Sequence, residues 1–211
     1  MSVKRRTQRE RSSSTRTALL AAARPLFAEQ GFAAVGTEAI VRAAGVTRGA
    51  LYHQFADKTE LFVAVFEQVE RDVVERIGAQ LAGLADPGAV LEAGVEAWLD
   101  ACEDPAVQQI VLIDAPAVLG WERWRALGQT YGGGLVEAAI AASIEAGRIR
   151  PQPVRPLAHV LIGALDEAAL YVARAEDRAS ARVEMSAVLR GIVAGLAGGD
   201  GAGNGTGDGR R

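Results

Sequence analysis

Apolar positions recur at helical spacing along most of the chain, and the breaks fall at glycines, prolines and acidic caps. Leu20, Ala23 and Phe27 repeat on one face of a helix predicted from Ser14 to Gln30, which Gly31 ends. Pro25 lies inside this pattern, so a local kink is expected there. Phe32 then plugs the space beside the next two short helices. The first of these starts at Thr37, read as its N-cap, and ends at Gly45; Ile40, Val41 and Ala44 form its inner side. Thr47 caps the second, which runs to about Phe55 with Ala50, Leu51 and Phe55 inward. Asp57 with Glu60 three residues on is a capping box. The long helix it opens carries Leu61, Phe62, Val65, Phe66, Val69, Val73, Ile77, Leu81 and Leu84 on its apolar stripe.

Beyond that rod the pattern continues as helices. Asp86-Pro87-Gly88 reads as a turn, and a helix from about Ala89 to Cys102 follows. Asp104-Pro105 starts another, which Pro116 is expected to interrupt near Asp114. A helix from about Gly120 to Gly147 contains Gly132-Gly133-Gly134, a place for a bend or a close backbone approach. Pro151, Pro153 and Pro156 make a stiff link to a helix from Leu157 to about Ala175, and Ser180 is read as the cap of a last helix reaching Leu196. The fold class is therefore all-α, with a three-helix N-terminal head and a larger helical body. The predicted divisions are a flexible basic arm over 1–13, a helix-turn-helix domain over 14–58, a body over 59–197 and a glycine-rich disordered tail over 198–211.

Charge sharpens this division. The net charge is −3, yet residues 1–59 hold ten Lys/Arg against four Asp/Glu, a net +6, and the remainder is −9. A basic head on an acidic body points to nucleic acid at the head alone. In the second short helix, Thr47, Arg48, Gly49, Tyr52, His53 and Gln54 fall on the outer side or its margins. Arg can fork onto guanine, Thr can touch a base or a thymine methyl, and Gly permits close approach to the backbone. Thr37 and Lys58, each at a helix start, are placed to meet phosphates. The competing reading, two core helices with no DNA role, leaves an exposed Tyr-His pair beside Arg48 and Lys58 unexplained.

The same stretch resembles the helix-turn-helix of the TetR (tetracycline repressor) family of bacterial transcription regulators. Leu20, Ala23, Phe27, Gly31, Phe32, Ile40, Ala44-Gly45-Val46, Thr47-Arg48-Gly49, Leu51-Tyr52, Phe55, Lys58 and Leu61 carry the resemblance, over about the first 65 residues. Val35-Gly36 stands where the family often has Thr-Thr, and Gln54 where an aromatic or His is common. The resemblance implies a regulator, more often repressor than activator, that binds a palindromic double-stranded DNA operator as a homodimer and responds to a small molecule in its body. It also implies a dimer formed by the last two long helices, whose small residues Gly163, Ala164, Gly191 and Gly195 would let copies pack closely.

Trp98, Trp121, Trp124 and Tyr131 cluster in the body, and with Cys102 and Asp114 they are the expected lining of a ligand chamber. Asp114 is the lone charge between Val107 and Leu119, so a neutral or mildly cationic, hydrophobic or planar ligand is expected. The main rival is a helical enzyme; a regulator whose body senses no small ligand is the other alternative. His53 and His159 are the only histidines, and no nucleophile elbow, phosphate loop or metal-ligand pattern is present. No catalytic residue, cofactor or metal is expected. The single Cys102 excludes an intrachain disulfide. With no secretory signal and no unbroken apolar run long enough for a bilayer, a bacterial cytoplasm and no membrane contact are expected.

Overall fold

The computed structural model describes residues 8–197, and among these every regular element is a helix. Most of the expected basic arm and the whole glycine-rich tail lie outside the described residues. The first helix, α1 (Gln8–Ala34), begins within the stretch expected to be arm. Its backbone stays helical through Pro25, where the kink was expected, and the one non-helical residue inside it is Gly31, at φ 76°. Only a residue without Cβ takes that angle at little cost. The close-packed residues of α1 are Leu19, Ala23 and Phe27, all fully buried, with Leu20 partly so.

The head closes with α2 (Thr37–Ala44) and α3 (Arg48–Gln54). Gly45 takes the left-handed angle, φ 65°, that turns one into the other. Gly36, with no capping side chain, occupies the N-cap of α2, which moves Thr37 from its expected cap to the first helical position. Thr47 caps α3 as expected, accepting from the amide of Ala50 at 3.2 Å. Ile40, Leu51 and Phe55 are buried between α1 and these helices. Phe27, Phe32 and Phe62 meet with ring centroids 5.1–5.9 Å apart. Burying one such ring stabilises the head by ~1.5–3 kcal/mol.

The rod α4 (Lys58–Leu81) has 24 residues, about 36 Å at the standard rise. Its capping box forms: Asp57 accepts from the Glu60 amide at 2.8 Å, and Glu60 reaches back to the Ala56 amide. Its first turns, at Leu61, Phe62 and Phe66, belong to the head's core, and its last turns lie in the body. The body packs α5 (Pro87–Ala101), a π-helical segment Val107–Asp114 running into α6 (Ala115–Leu119), α7 (Trp121–Gly128), a second π-helical segment Gln129–Gly133 running into α8 (Gly134–Glu145), then α9 (Val154–Arg174) and α10 (Arg178–Ala197).

Several breaks differ from the sequence reading. Asp86-Pro87-Gly88 is the start of α5 rather than a free turn. Asp86 caps it, and Pro87 sits in its first turn, where a missing N–H costs nothing. Pro116 does not interrupt its helix, because it too lies in a first turn, and the break comes at Gly120, φ 78°. At the three glycines the helix widens to π geometry, and Gly133 packs under the Gln129 side chain, 2.7 Å from where its Cβ would stand. Asp177, and not Ser180, caps α10, by accepting from the Ser180 amide at 3.0 Å. The α9 helix meets the length and composition of a membrane-crossing helix, although Asp166 and Glu167 break its apolar run, so the expectation of no unbroken run of that length stands.

Candidate functional site

The outer face of α3 is the first candidate. Thr47, Arg48, Gly49, Tyr52 and His53 are all exposed. Nothing holds Arg48 firmly: its guanidinium is 3.3 Å from Glu38, with both side chains well exposed, and lies 5.6 Å from the Tyr52 ring centroid. Such an exposed pair is worth ~0–1 kcal/mol, so Arg48 is free to exchange Glu38 for another partner. Gln54 is half-buried and donates to the Ser12 hydroxyl at 2.8 Å, tying α3 to the start of α1. Thr37 is half-buried at the start of α2.

Lys58 is placed differently from the expectation. Its ammonium donates to the carbonyl oxygens of Phe32 at 2.8 Å and Val35 at 3.0 Å, and lies 4.0 Å from the Phe32 ring centroid. These carbonyls end α1, where the backbone has no helical donors left to offer. The side chain expected on a phosphate is therefore a bolt between α1 and α4. The expectation came from its place at a helix start, which says nothing of where a long flexible side chain turns.

The second candidate is a cavity of about 130 Å³ in the body. Its walls come from α4 (Val73, Val74, Ile77), α5 (Leu91, Val95, Trp98), α8 (Leu135, Val136, Ala139), α9 (Leu161, Ile162, Leu165) and α10 (Leu189, Ile192, Val193), with Val111 and Trp124. Trp98 and Trp124 line it as expected from sequence. Trp98 is fixed by its indole N–H, which donates to the Leu165 carbonyl at 3.1 Å.

The structure puts the other four expected lining residues elsewhere. Trp121 begins α7 and is 65% exposed, its ring against Trp124 with centroids 5.0 Å apart. Tyr131 sits beside Arg71, whose guanidinium donates to its hydroxyl at 3.4 Å. Cys102 is buried at the C-terminal end of α5, and burial first, then Asp166 and Glu70, push its thiol well up from the usual range. Asp114 faces the head: its carboxylate accepts from the Phe32 amide at 2.6 Å and from the Gln109 amide at 3.1 Å. All four side chains follow from helix phase set by packing, which a cluster in sequence does not reveal.

Three polar residues that sequence reasoning did not assign to the chamber line it: Glu70, Arg125 and Asp166. Arg125 pairs with Asp166 through a short charged hydrogen bond, and its guanidinium lies 5.3 Å from the Trp124 ring centroid. Burial raises the Asp166 carboxyl to about 6, against the opposing pull of Arg125. Glu70 is 6% exposed and has no hydrogen-bond partner among the described residues. Burial first and Asp166 second push its carboxyl up to about 8. A signal existed: Glu70 stands four residues after Phe66 and three before Val73, in register with the apolar stripe of α4.

The outer faces of α9 and α10 form a third region. Val160, Tyr171, Val183 and Val188 are exposed there, and Ile192, at the cavity's edge, is exposed too. Gly191 and Gly195 are also exposed, and a Cβ at either would meet nothing within the protomer. At Gly163 a Cβ would stand 3.0 Å from the Arg125 guanidinium, so its small size also makes room for that side chain. Ala164 is half-buried and packs on the core. His159 is exposed on α9.

Comparison with known proteins agrees with this layout. Residues 19–65 match the family described as bacterial regulatory proteins, tetR family, and residues 88–196 match the tetracyclin repressor-like C-terminal domain. CymR, a helix-turn-helix transcriptional regulator of Pseudomonas putida, is 42% identical over 92 residues, which is 44% of this chain and 45% of CymR, so the match spans less than half of that relative's length. The crystal structure of a TetR-family transcriptional regulator from Pectobacterium atrosepticum superposes with a TM-score of 0.79 at 32% identity, covering 92% of this chain and 99% of the other. RolR in complex with resorcinol shares the fold, with a TM-score of 0.71 at 20% identity over 90% of this chain and 96% of RolR. Head, rod and body are thus those of known regulators, and the chain belongs to the TetR family of bacterial transcriptional regulators.

Proposed function

We propose that the protein is a ligand-responsive repressor that binds a palindromic DNA operator as a homodimer and is released when a small, largely apolar molecule fills the body cavity. The carrying observation is that α4 joins the two sites: Leu61 and Phe62 sit in the head's core, while Val73, Val74 and Ile77 line the cavity. A second connection supports it. Val111 lines the cavity, and three residues on, Asp114 holds the Phe32 amide. An occupant that shifts either element moves the head relative to its partner's head. RolR, of the same fold, has resorcinol bound.

In this reading Arg48, Thr47, Gly49, Tyr52 and His53 face the major groove, Gln54 and Thr37 position the head, and Lys58 keeps α1 on α4. Head and body divide at residues 58 and 59, within the first turn of α4. The exposed apolar side chains of α9 and α10, among them Val160, Tyr171, Val183 and Val188, form the dimer contact. The ligand weakens operator binding only by preferring the arrangement with misplaced heads; a preference of ~100-fold per site supplies ~2.7 kcal/mol. A cytoplasmic location follows from the need to reach DNA.

The test is selection of duplexes from a random DNA pool with the full chain. A two-fold symmetric site with half-site centres ~34–36 Å apart should be enriched. Arg48→Ala should then lose ~1–3 kcal/mol on the enriched site and relax one base position. Absence of any enriched symmetric site sinks the reading.

A further inference from the structure

The cavity carries more information than its apolar walls. It offers about 130 Å³ as it stands. An engineered apolar cavity of ~150 Å³ takes one benzene ring, so a single six-membered ring matches the space and a fused polycycle does not. Its polar groups are just as restrictive. Arg125 and Asp166 are already matched to each other. That leaves Glu70, nine-tenths buried and without a hydrogen-bond partner among the described residues, on the cavity wall.

We propose that Glu70 reads the ligand, and that the ligand is an uncharged single-ring molecule whose one hydroxyl seats against the Glu70 carboxyl. The proposal rests on the ligand-sensing reading above and names the class of molecule that reading requires. A buried hydrogen-bonding group without a partner costs ~1–3 kcal/mol, and a ligand hydroxyl both gives and accepts the missing bond. The net charge of the site argues against ions. The charge facing Glu70 is Asp166 from α9, with its partner Arg125 from α7; the Cys102 thiol, at the C-cap of α5, lies near it but off the cavity wall, and α8 and α10 present only apolar side chains to the cavity. A cationic ligand would require Glu70, 6% exposed, to ionise beside Asp166, at a cost of several kcal/mol per buried charge. An anion would meet two carboxyl groups, with Arg125 already committed. An all-hydrocarbon ring would leave Glu70 as it is, unpaired and now further from water.

The probes are phenol, toluene, benzylamine and benzoate, titrated calorimetrically at neutral pH into the full-length protein and into Glu70→Gln and Glu70→Leu. Phenol keeps its proton there, since such a hydroxyl ionises near ~10. Wild type should bind phenol about tenfold or more tighter than toluene, the factor one recovered buried hydrogen bond gives. Glu70→Gln, which bonds but cannot ionise, should keep that preference. Glu70→Leu should lose it while still binding toluene, which also shows that the variant is folded. Benzylamine binding tighter than phenol and vanishing in Glu70→Gln would overturn the proposal in favour of a cation site. Benzoate binding tightest would overturn it in favour of Arg125. Equal binding of phenol and toluene in all three proteins would remove Glu70's role and leave the sensing cavity standing. No binding of any ring would remove both.

Discussion

Replacing Glu70 by Gln should stabilise the protein, by an amount that grows as pH rises. Glu70 ionises near 4.5 in an unfolded chain and is pushed up to about 8 in the folded one, by burial and then by Asp166. The folded state therefore keeps a proton that the unfolded state has released at any pH between these values. Stability of the wild type falls across that window as pH rises, and is level above it. Each unit of difference is worth about 1.4 kcal/mol, so the whole window amounts to on the order of 3 to 5 kcal/mol, most of it reached by neutral pH. Water entering the cavity lowers the measured figure. Gln has the same length and no proton to release. The Asp166–Arg125 pair is present in both proteins, so its own pH dependence largely cancels. Urea midpoints at pH 5, 7 and 9, at one fixed protomer concentration, give the comparison. The two proteins should nearly coincide at pH 5 and separate by ~2–4 kcal/mol at pH 9. Curves that stay parallel from pH 5 to 9 would mean that Glu70 ionises freely in the folded chain, and the picture of a buried, unmatched carboxyl would be wrong.

Three other outcomes follow from the same geometry. Asp114→Ala should leave the Phe32 amide without its acceptor, cost ~1–3 kcal/mol, and speed hydrogen exchange at Phe32; unchanged protection there would show that the contact does not hold head to body. Gly191→Leu with Gly195→Leu should give folded monomers by sedimentation, since a Cβ at either position meets nothing within 4 Å in the protomer; a persisting dimer would place the interface elsewhere. Burial alone would raise the Glu96 carboxyl, but hydrogen bonds from Ser186 and Arg182 and the charges of Arg182 and Arg190 hold it below the usual range. Its contribution to docking α10 on α5 is thus present above the ordinary glutamate value and lost as pH falls through the lowered one. Glu96→Gln should flatten the acid loss of stability, and an acid limb identical to that of wild type would discount the cluster.

What the sequence determined is what short-range bonds decide. The order of head, rod and body, the turn at Gly45, the Thr47 cap and the Asp57–Glu60 box all rest on groups within five residues of each other. Leu51 and Phe55 were legible as core because a seven-residue helix has only one inner side. The effect of a proline depends on helix register, which the local pattern does not give: Pro87 and Pro116 lie in first turns, where no amide is needed. Only the tertiary structure decided the sites in the body. Glu70, Arg125 and Asp166 come from three helices far apart in sequence, and which turn of each faces the cavity depends on how all of them pack. Trp121 and Trp124, three residues apart, illustrate the limit: Trp124 is 4% exposed and lines the cavity, while Trp121 is 65% exposed. The long side chains of Lys58 and Asp114's reach to Phe32 follow the same rule. A cavity is the space that neighbouring side chains fail to fill, and no single stretch of chain contains it.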